Sequence, residues 1–279
     1  MQDRSSSTIQ ILLTDLAMGE SPRWHHDRLW VADWGAQEII SVDRAGKREV
    51  EVTTSFELPF CFDWLPDGRL LVVAGRECRL VRREEDDTLA THADLRGLGD
   101  GAWNEIVVDG RGNIYVNGGP GLIALVTPDG AVRQVADGIA FPNGMAVTPD
   151  NATLIIAESH ANCLTAFDIA ADGSLANRRL WADLGDGAPD GICIDAEGAV
   201  WYADVPHKHC VRVHEGSEVA QTIQLDRGGF ACMLGGTEQR TLFMIATEWR
   251  GMDQVMEVAQ ARTGQVLTVE VDVPHIGWP

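Results

Sequence analysis

At intervals of about forty residues the chain repeats one unit six times: an apolar strand, a tight turn, and a second apolar strand. The second strands begin at Leu29, Leu70, Ile114, Leu154, Val200 and Leu242, with spacings of 41, 44, 40, 46 and 42 residues. A period of this size restricts the chain to a closed ring of small sheets or to a solenoid. Each second strand is a short run of apolar, largely β-branched and aromatic residues, such as Leu29-Trp30-Val31 or Val200-Trp201-Tyr202, which reads as a buried strand. Turn signals precede them: Asp67-Gly68, Asp109-Gly110-Arg111-Gly112, Pro149-Asp150-Asn151 and Asp195-Ala196-Glu197-Gly198. No long stretch has helical periodicity. The pattern predicts an all-β fold, a six-bladed β-propeller of four-stranded blades. A large β-sandwich is the second choice, but it has no reason to repeat at forty residues.

An unpaired edge in such a ring is a liability. The free strand Ile9-Gln10-Ile11-Leu12-Leu13-Thr14 is therefore expected to close the last blade, beside strands around Val255–Val258 and Val266–Val271. Residues 1–279 read as a single domain, with Met1 to Ser7 a frayed tail lacking the apolar core of a signal peptide.

Forty-two acidic against 22 basic residues leave a formal charge of −20, which disfavours nucleic acid and anionic membranes as partners. The six cysteines (Cys61, Cys78, Cys163, Cys193, Cys210 and Cys232) form no C-x-x-C pair. With no secretion signal they point to reduced thiols and a cytoplasmic setting. Oligomeric state is left open.

The copies differ at one place. Where some inner strands begin with apolar or small residues, four begin with Glu20, Asn104, Asn143 and Asp190. In a propeller the start of the innermost strand and the end of the second share one face, around the central channel. Four oxygen-bearing side chains should therefore converge at one channel mouth. Two carboxylates and two amides, with no sulfur or imidazole, suit a hard cation: calcium, magnesium or manganese. Taken singly, Asn143-Gly144 and Asp190-Gly191 are ordinary turn dipeptides; convergence at equivalent positions favours a metal site.

Gly19-Glu20-Ser21-Pro22-Arg23-Trp24, Pro142-Asn143-Gly144-Met145-Ala146 and the stretch from Pro189 to Gly198 resemble the regucalcin (senescence marker protein)/gluconolactonase/luciferin-regenerating-enzyme-like family. Asn177-Arg178-Arg179 and Leu234-Gly235-Gly236 extend the resemblance over essentially the whole chain. It implies a six-bladed propeller with one divalent cation over the channel, calcium first and zinc, manganese or magnesium as alternatives. By resemblance Glu20, Asn143 and Asp190 are metal ligands, and Asn104 ligates the metal or contacts substrate. The implied activity is metal-dependent hydrolysis of a lactone, with Asp190 as the general base. A carboxylate on a cation is a weak base, so a freer carboxylate or a cation-activated water is the alternative. Organophosphate triester cleavage and a non-enzymatic calcium-binding or interaction propeller are the competing functions.

Two departures bear on substrate. Relatives acting on sugar lactones often carry Arg where this chain has Ala102, and Trp103 follows it. A lost guanidinium and an aromatic neighbour favour a less polar lactone. The connection Asn117-Gly118-Gly119-Pro120-Gly121 is also short. Strand ends and the loops after them nominate Trp34, Asn117, Ser159, His160, His207 and Trp249, together with Asn104 and Trp103, as substrate contacts. His207-Lys208-His209 looks faintly like a zinc ligand pair, but no third ligand of matching type is evident nearby. Cys61 and Cys232 lie near inner-strand starts and read as core rather than as nucleophiles.

Overall fold

A computed structural model describes residues 8–279; the expected tail, Met1 to Ser7, lies outside them. Six four-stranded antiparallel sheets form the ring, a six-bladed β-propeller. Strand β1 (Gln10–Leu16) belongs to the last blade. Blade one comprises β2 (Gly19–His25), β3 (Arg28–Asp33), β4 (Glu38–Val42) and β5 (Arg48–Thr53). Blade two follows with β6 (Phe60–Trp64), β7 (Leu70–Ala74), β8 (Arg79–Arg83) and β9 (Leu89–Asp94). Blade three has β10 (Trp103–Val108), β11 (Ile114–Gly118), β12 (Leu122–Val126) and β13 (Val132–Ala136). Blade four has β14 (Pro142–Val147), β15 (Thr153–Glu158), β16 (Cys163–Ile169) and β17 (Leu175–Asp183). Blade five has β18 (Pro189–Ile194), β19 (Val200–Asp204), β20 (His209–Val213) and β21 (Val219–Gln224). Blade six runs β22 (Gly228–Gly235), β23 (Thr241–Thr247) and β24 (Gly264–Glu270), with β1 outermost.

Blade six closes as the repeat argument requires, with β1 antiparallel to β24. One detail is corrected: Val255–Ala261 is a short helix, α1, not a strand. Val255-Met256-Glu257-Val258-Ala259-Gln260-Ala261 places good helix formers between two β-branched residues, and it buries only Val258. Aliphatic side chains between neighbouring blades build the core; one cluster joins Cys61, Val73, Leu80, Trp103, Ile106 and Val116. The six cysteines are unpaired. Among the described residues no helix is long and apolar enough to cross a membrane.

The inner strands carry the feature that positions the site. Between Pro142↔Glu158 and Met145↔Ile156, β14 advances three residues while β15 recedes two. The same one-residue excess occurs in β2 between Glu20 and Arg23, in β10 between Trp103 and Glu105, and in β18 between Pro189 and Ile192. A β-bulge of this kind re-aims side chains and breaks pairing locally. Strand β22 has the same excess between Gly229 and Ala231 without a polar side chain there, and strand β6 pairs in unbroken register.

The far face of the ring, where the β14–β15 and β18–β19 turns lie, is crossed by the C-terminal segment. Trp278 pairs with Val147, and His275 with Asp195. A cavity of ≈ 480 Å³ beneath it is lined by Arg23, Trp24, Asp63, Trp64 and Trp278.

Candidate metal centre

Each of the four polar departures lies in or beside one of these bulges. Glu20 is buried, while Asn104, Asn143 and Asp190 keep part of their surface open. Asn104 Nδ2 donates to Asn143 Oδ1 at 3.4 Å. The Asn143 amide favours the charged form of Asp190, and the Asp190 charge in turn acts on the buried Glu20 carboxyl. The four residues thus form one polar group, joined by a hydrogen bond between Asn104 and Asn143 and by charge between Asp190 and Glu20.

The glycines of Asn143-Gly144 and Asp190-Gly191 serve packing between blades, not turns. A Cβ on Gly144 would stand 2.6 Å from both the Asp190 carbonyl oxygen and the Ile192 nitrogen. A Cβ on Gly191 would stand 2.4 Å from the Ala231 Cβ. Only hydrogen in place of a side chain lets adjacent inner strands approach this closely.

Behind the bulges, acids at the ends of second strands clasp the backbone that leads into the inner strand of the same blade. Asp33 accepts from the Ala17 and Met18 amides at 3.2 and 2.8 Å. Glu158 accepts from the Ala140 amide at 2.8 Å, and Asp204 from the Ala188 amide at 2.8 Å. Arg178, of the Asn-Arg-Arg stretch, pairs with Glu158 at 2.8 Å and also binds the Gly138 carbonyl. Its position is thereby explained as support for blade four.

The charge balance at the channel is strongly one-sided. Burial, then Asp190, then Glu105, push the Glu20 carboxyl well above the ordinary range. Burial and Glu105 likewise push Asp190 up, partly offset by the Asn143 amide. Asp63 is raised to about 6 by burial despite nearby Arg23 and two backbone N–H donors. Against Glu20, Asp63, Glu105 and Asp190 stands the Arg23 guanidinium, paired with Glu105 at 3.0 Å with both side chains buried. Oxygen donors from a buried carboxylate, a partly open carboxylate and two amides, short of positive charge, fit a hard divalent cation. Glu20, Asn143 and Asp190 would hold it, with Asn104 adjoining.

Sequence reasoning missed Glu105, Arg23 and Asp63. The available signal was a charge inside an otherwise apolar inner strand, as in Phe60-Cys61-Phe62-Asp63-Trp64 or Glu105-Ile106-Val107-Val108. Ser21 Oγ also donates to Glu105, at 3.3 Å.

The nominated substrate contacts divide. A cleft of ≈ 420 Å³ is lined by Pro59, Ala102, Asn104, Ile139, Phe141 and His160, among others. Asn104 is the residue it shares with the polar cluster. His160 stacks on exposed Phe141 with ring centres 4.4 Å apart. Residues 119–121 make the short β11–β12 turn along its rim. Trp103 is a correction: at 1% exposure it packs in the core between blades two and three, because the bulge turns Asn104 rather than Trp103 to the channel. Asn117 is fully buried and donates to the Asn143 carbonyl at 2.5 Å, so it supports a ligand strand instead of lining the cleft. Ser159 Oγ receives Asn143 Nδ2 at 3.4 Å and donates to the Pro189 carbonyl at 2.6 Å, bridging the strands of Asn143 and Asp190. Trp34 donates to the Phe60 carbonyl, and Trp249 packs edge-on against Phe230 at 5.4 Å. His207 lies on Asp204, outside the lining of the cleft. Burial raises the Cys61 and Cys232 thiols well above their ordinary range, which suits core residues and not nucleophiles.

Comparison with known proteins agrees with the fold and gives the family. A pentonolactonase of Haloferax volcanii is 27% identical over 212 residues, covering 70% of this chain and 69% of its own. Regucalcin of Xenopus laevis is 25% identical over 287 residues, covering 95% of each chain. Among solved structures, a luciferin-regenerating enzyme superposes with TM-score 0.83 at 18% identity, covering 97% of this chain and 98% of its own. A calcium-binding protein, regucalcin, from Agrobacterium tumefaciens gives 0.79 at 20% identity, covering 98% and 97%. The family model described as the SMP-30/gluconolactonase/LRE-like region matches residues 18–248, and the chain belongs to that family.

Proposed function

We propose that this protein hydrolyses a lactone at the channel mouth, with a divalent cation held by Glu20, Asn143 and Asp190. The observation that carries the reading is the placement of two carboxyls, Glu20 and Asp190, at equivalent inner-strand bulges beside the amides of Asn143 and Asn104, while the nearby Arg23 guanidinium is already paired to Glu105. Relatives named as lactonases supply the reaction class. An all-oxygen donor set favours calcium, with zinc, manganese and magnesium behind it.

When bound, the cation supplies Lewis-acid polarisation of the lactone carbonyl and neutralises the carboxylates. The protein residues do the rest. Asn104, open to the cleft, orients the substrate by donating a hydrogen bond. Asp190 is the partly exposed acid and takes the proton from the attacking water, whose oxygen bonds to the carbonyl carbon. The ring acyl–oxygen bond then breaks, the proton passes to the departing ring oxygen, and a hydroxy acid leaves. Buried Glu20 stays at the base of the site as a fixed charge. Asn117 and Ser159 hold the strands of Asn143 and Asp190 in place.

Ala102, Pro59, Ile139 and Phe141 give one stretch of the cleft wall an apolar character. That favours a lactone with a less polar substituent than a sugar lactone. The test is a panel from gluconolactone to alkyl-substituted lactones, assayed with chelator and after restoring calcium, for the parent protein and Asp190→Asn. Loss with chelator, recovery with calcium, and an inert Asp190→Asn are expected. Turnover indifferent to both would refute the proposal.

A further inference from the structure

The β19–β20 turn holds a second cluster with different chemistry. Asp204, His207 and His209 each offer a ligand atom, and these atoms lie within 4.8 Å of one another. Among the described residues this is the group of three His, Cys, Asp or Glu side chains that converges so closely. The hairpin creates it: Asp204 and His209 are cross-strand partners, and the turn folds His207 back three residues onto the same carboxylate.

His207 Nδ1 stands 3.0 Å from both Asp204 oxygens, and His209 Nε2 stands 3.5 Å from Oδ2. Two ligands of a tetrahedral zinc ion, each roughly 2.0–2.1 Å from it, lie about 3.3 Å apart. The Asp204 carboxylate is fully buried and already oriented by the Ala188 and His207 amides, one on each oxygen. His209 Nε2 is itself buried and has no hydrogen-bond partner. On the outer side His207 Nε2 lies 3.6 Å from the exposed Asp186 Oδ2, beyond hydrogen-bond distance but on the side where a metal-bound imidazole commonly takes a carboxylate partner. A structural carboxylate flanked by two histidines would explain the ion pairs, but it leaves the buried His209 nitrogen without a hydrogen bond.

We propose that Asp204, His207 and His209 bind a borderline transition-metal ion, zinc or a close analogue, at a site separate from the channel cluster. Two imidazoles and one carboxylate select zinc, cobalt or nickel over calcium. The ion fastens the β19–β20 turn to the backbone at Ala188, two residues ahead of Asp190, so its role is structural support of the neighbouring site.

The experiment uses the full chain carrying Asp190→Asn, which weakens the channel site. Cobalt(II) is titrated as a spectroscopic stand-in, zinc is measured by competition, and melting is followed with and without zinc. Asp190→Asn should develop the visible absorption of low-coordinate cobalt, lose it to zinc, and melt higher with zinc. Adding His207→Ala or His209→Ala should abolish all three signals, and His207→Gln provides a gentler second variant. Far-ultraviolet circular dichroism confirms that each variant is folded. Calcium titration of the parent protein and His207→Gln should give the same curve. Absence of the cobalt signal in Asp190→Asn, or its persistence in the histidine variants, would overturn the assignment.

Discussion

Replacing Arg23 by Met probes the charge imbalance on which the channel site rests. Arg23 is 5% exposed and donates to Glu105 Oε1 at 3.0 Å, the Ile106 carbonyl at 2.8 Å and the Pro22 carbonyl at 3.0 Å. Methionine keeps much of the volume but removes the guanidinium. Glu105 then faces Glu20, Asp63 and Asp190 without its counter-charge. Removing one partner of a buried pair costs about 3–5 kcal/mol. At about 2–4 °C per kcal/mol, that is a fall in Tm of about 6–20 °C in chelator. Two further readouts separate charge from packing. The double variant Arg23→Met/Glu105→Gln should recover part of the loss, with a coupling of about 1–3 kcal/mol. Calcium should raise the Tm of Arg23→Met by more than it raises that of the parent, because a bound cation relieves the greater excess of negative charge. A loss below about 1 kcal/mol, or no recovery in the double variant, would refute the reasoning.

Other consequences are as specific. Gly144→Ala drives a methyl into the Asp190–Ile192 backbone and should cost about 1–3 kcal/mol in urea denaturation, with a disproportionate loss of kcat/KM. Asp63 has a folded pKa of about 6 against 3.8, so the folded state holds its proton more tightly than the unfolded chain does. Its contribution to stability is therefore undiminished below pH 3.8 and falls as pH rises to about 6, by about 3 kcal/mol. The stability of the parent minus that of Asp63→Asn should drop across that window; a flat difference would show that Asp63 is not strained by burial. Phe141, 53% exposed, lines the cleft, and Phe141→Ala should raise KM about tenfold for alkyl lactones while sparing gluconolactone.

The ring was legible because hydrophobic burial between blades imposes the same apolar strand at each turn of the repeat. The four cluster residues were legible for the converse reason: Glu20, Asn104, Asn143 and Asp190 break that pattern at equivalent positions. The bulges were not legible, since one extra residue leaves no mark in a string whose period already varies from 40 to 46. That is why Trp103 reads as a cleft residue yet packs in the core, and why Asn143-Gly144 reads as a turn yet serves close packing. Glu105 and Arg23 were hidden because a buried ion pair between distant strands has no local signature. Val255–Val258 reads as a strand because its two valines outweigh, by eye, the helix formers between them. The third ligand beside His207 and His209 escaped because Asp204 stands at the end of an apolar strand and becomes their neighbour only through the hairpin.

The most direct test is a crystal of the parent protein grown with manganese, with anomalous difference density recorded at the manganese edge. The account predicts a peak bounded by Glu20, Asn143 and Asp190, about 2.2 Å from their oxygens, that disappears in Asp190→Asn. Density confined to Asp204, His207 and His209, with none at the channel mouth, would contradict it.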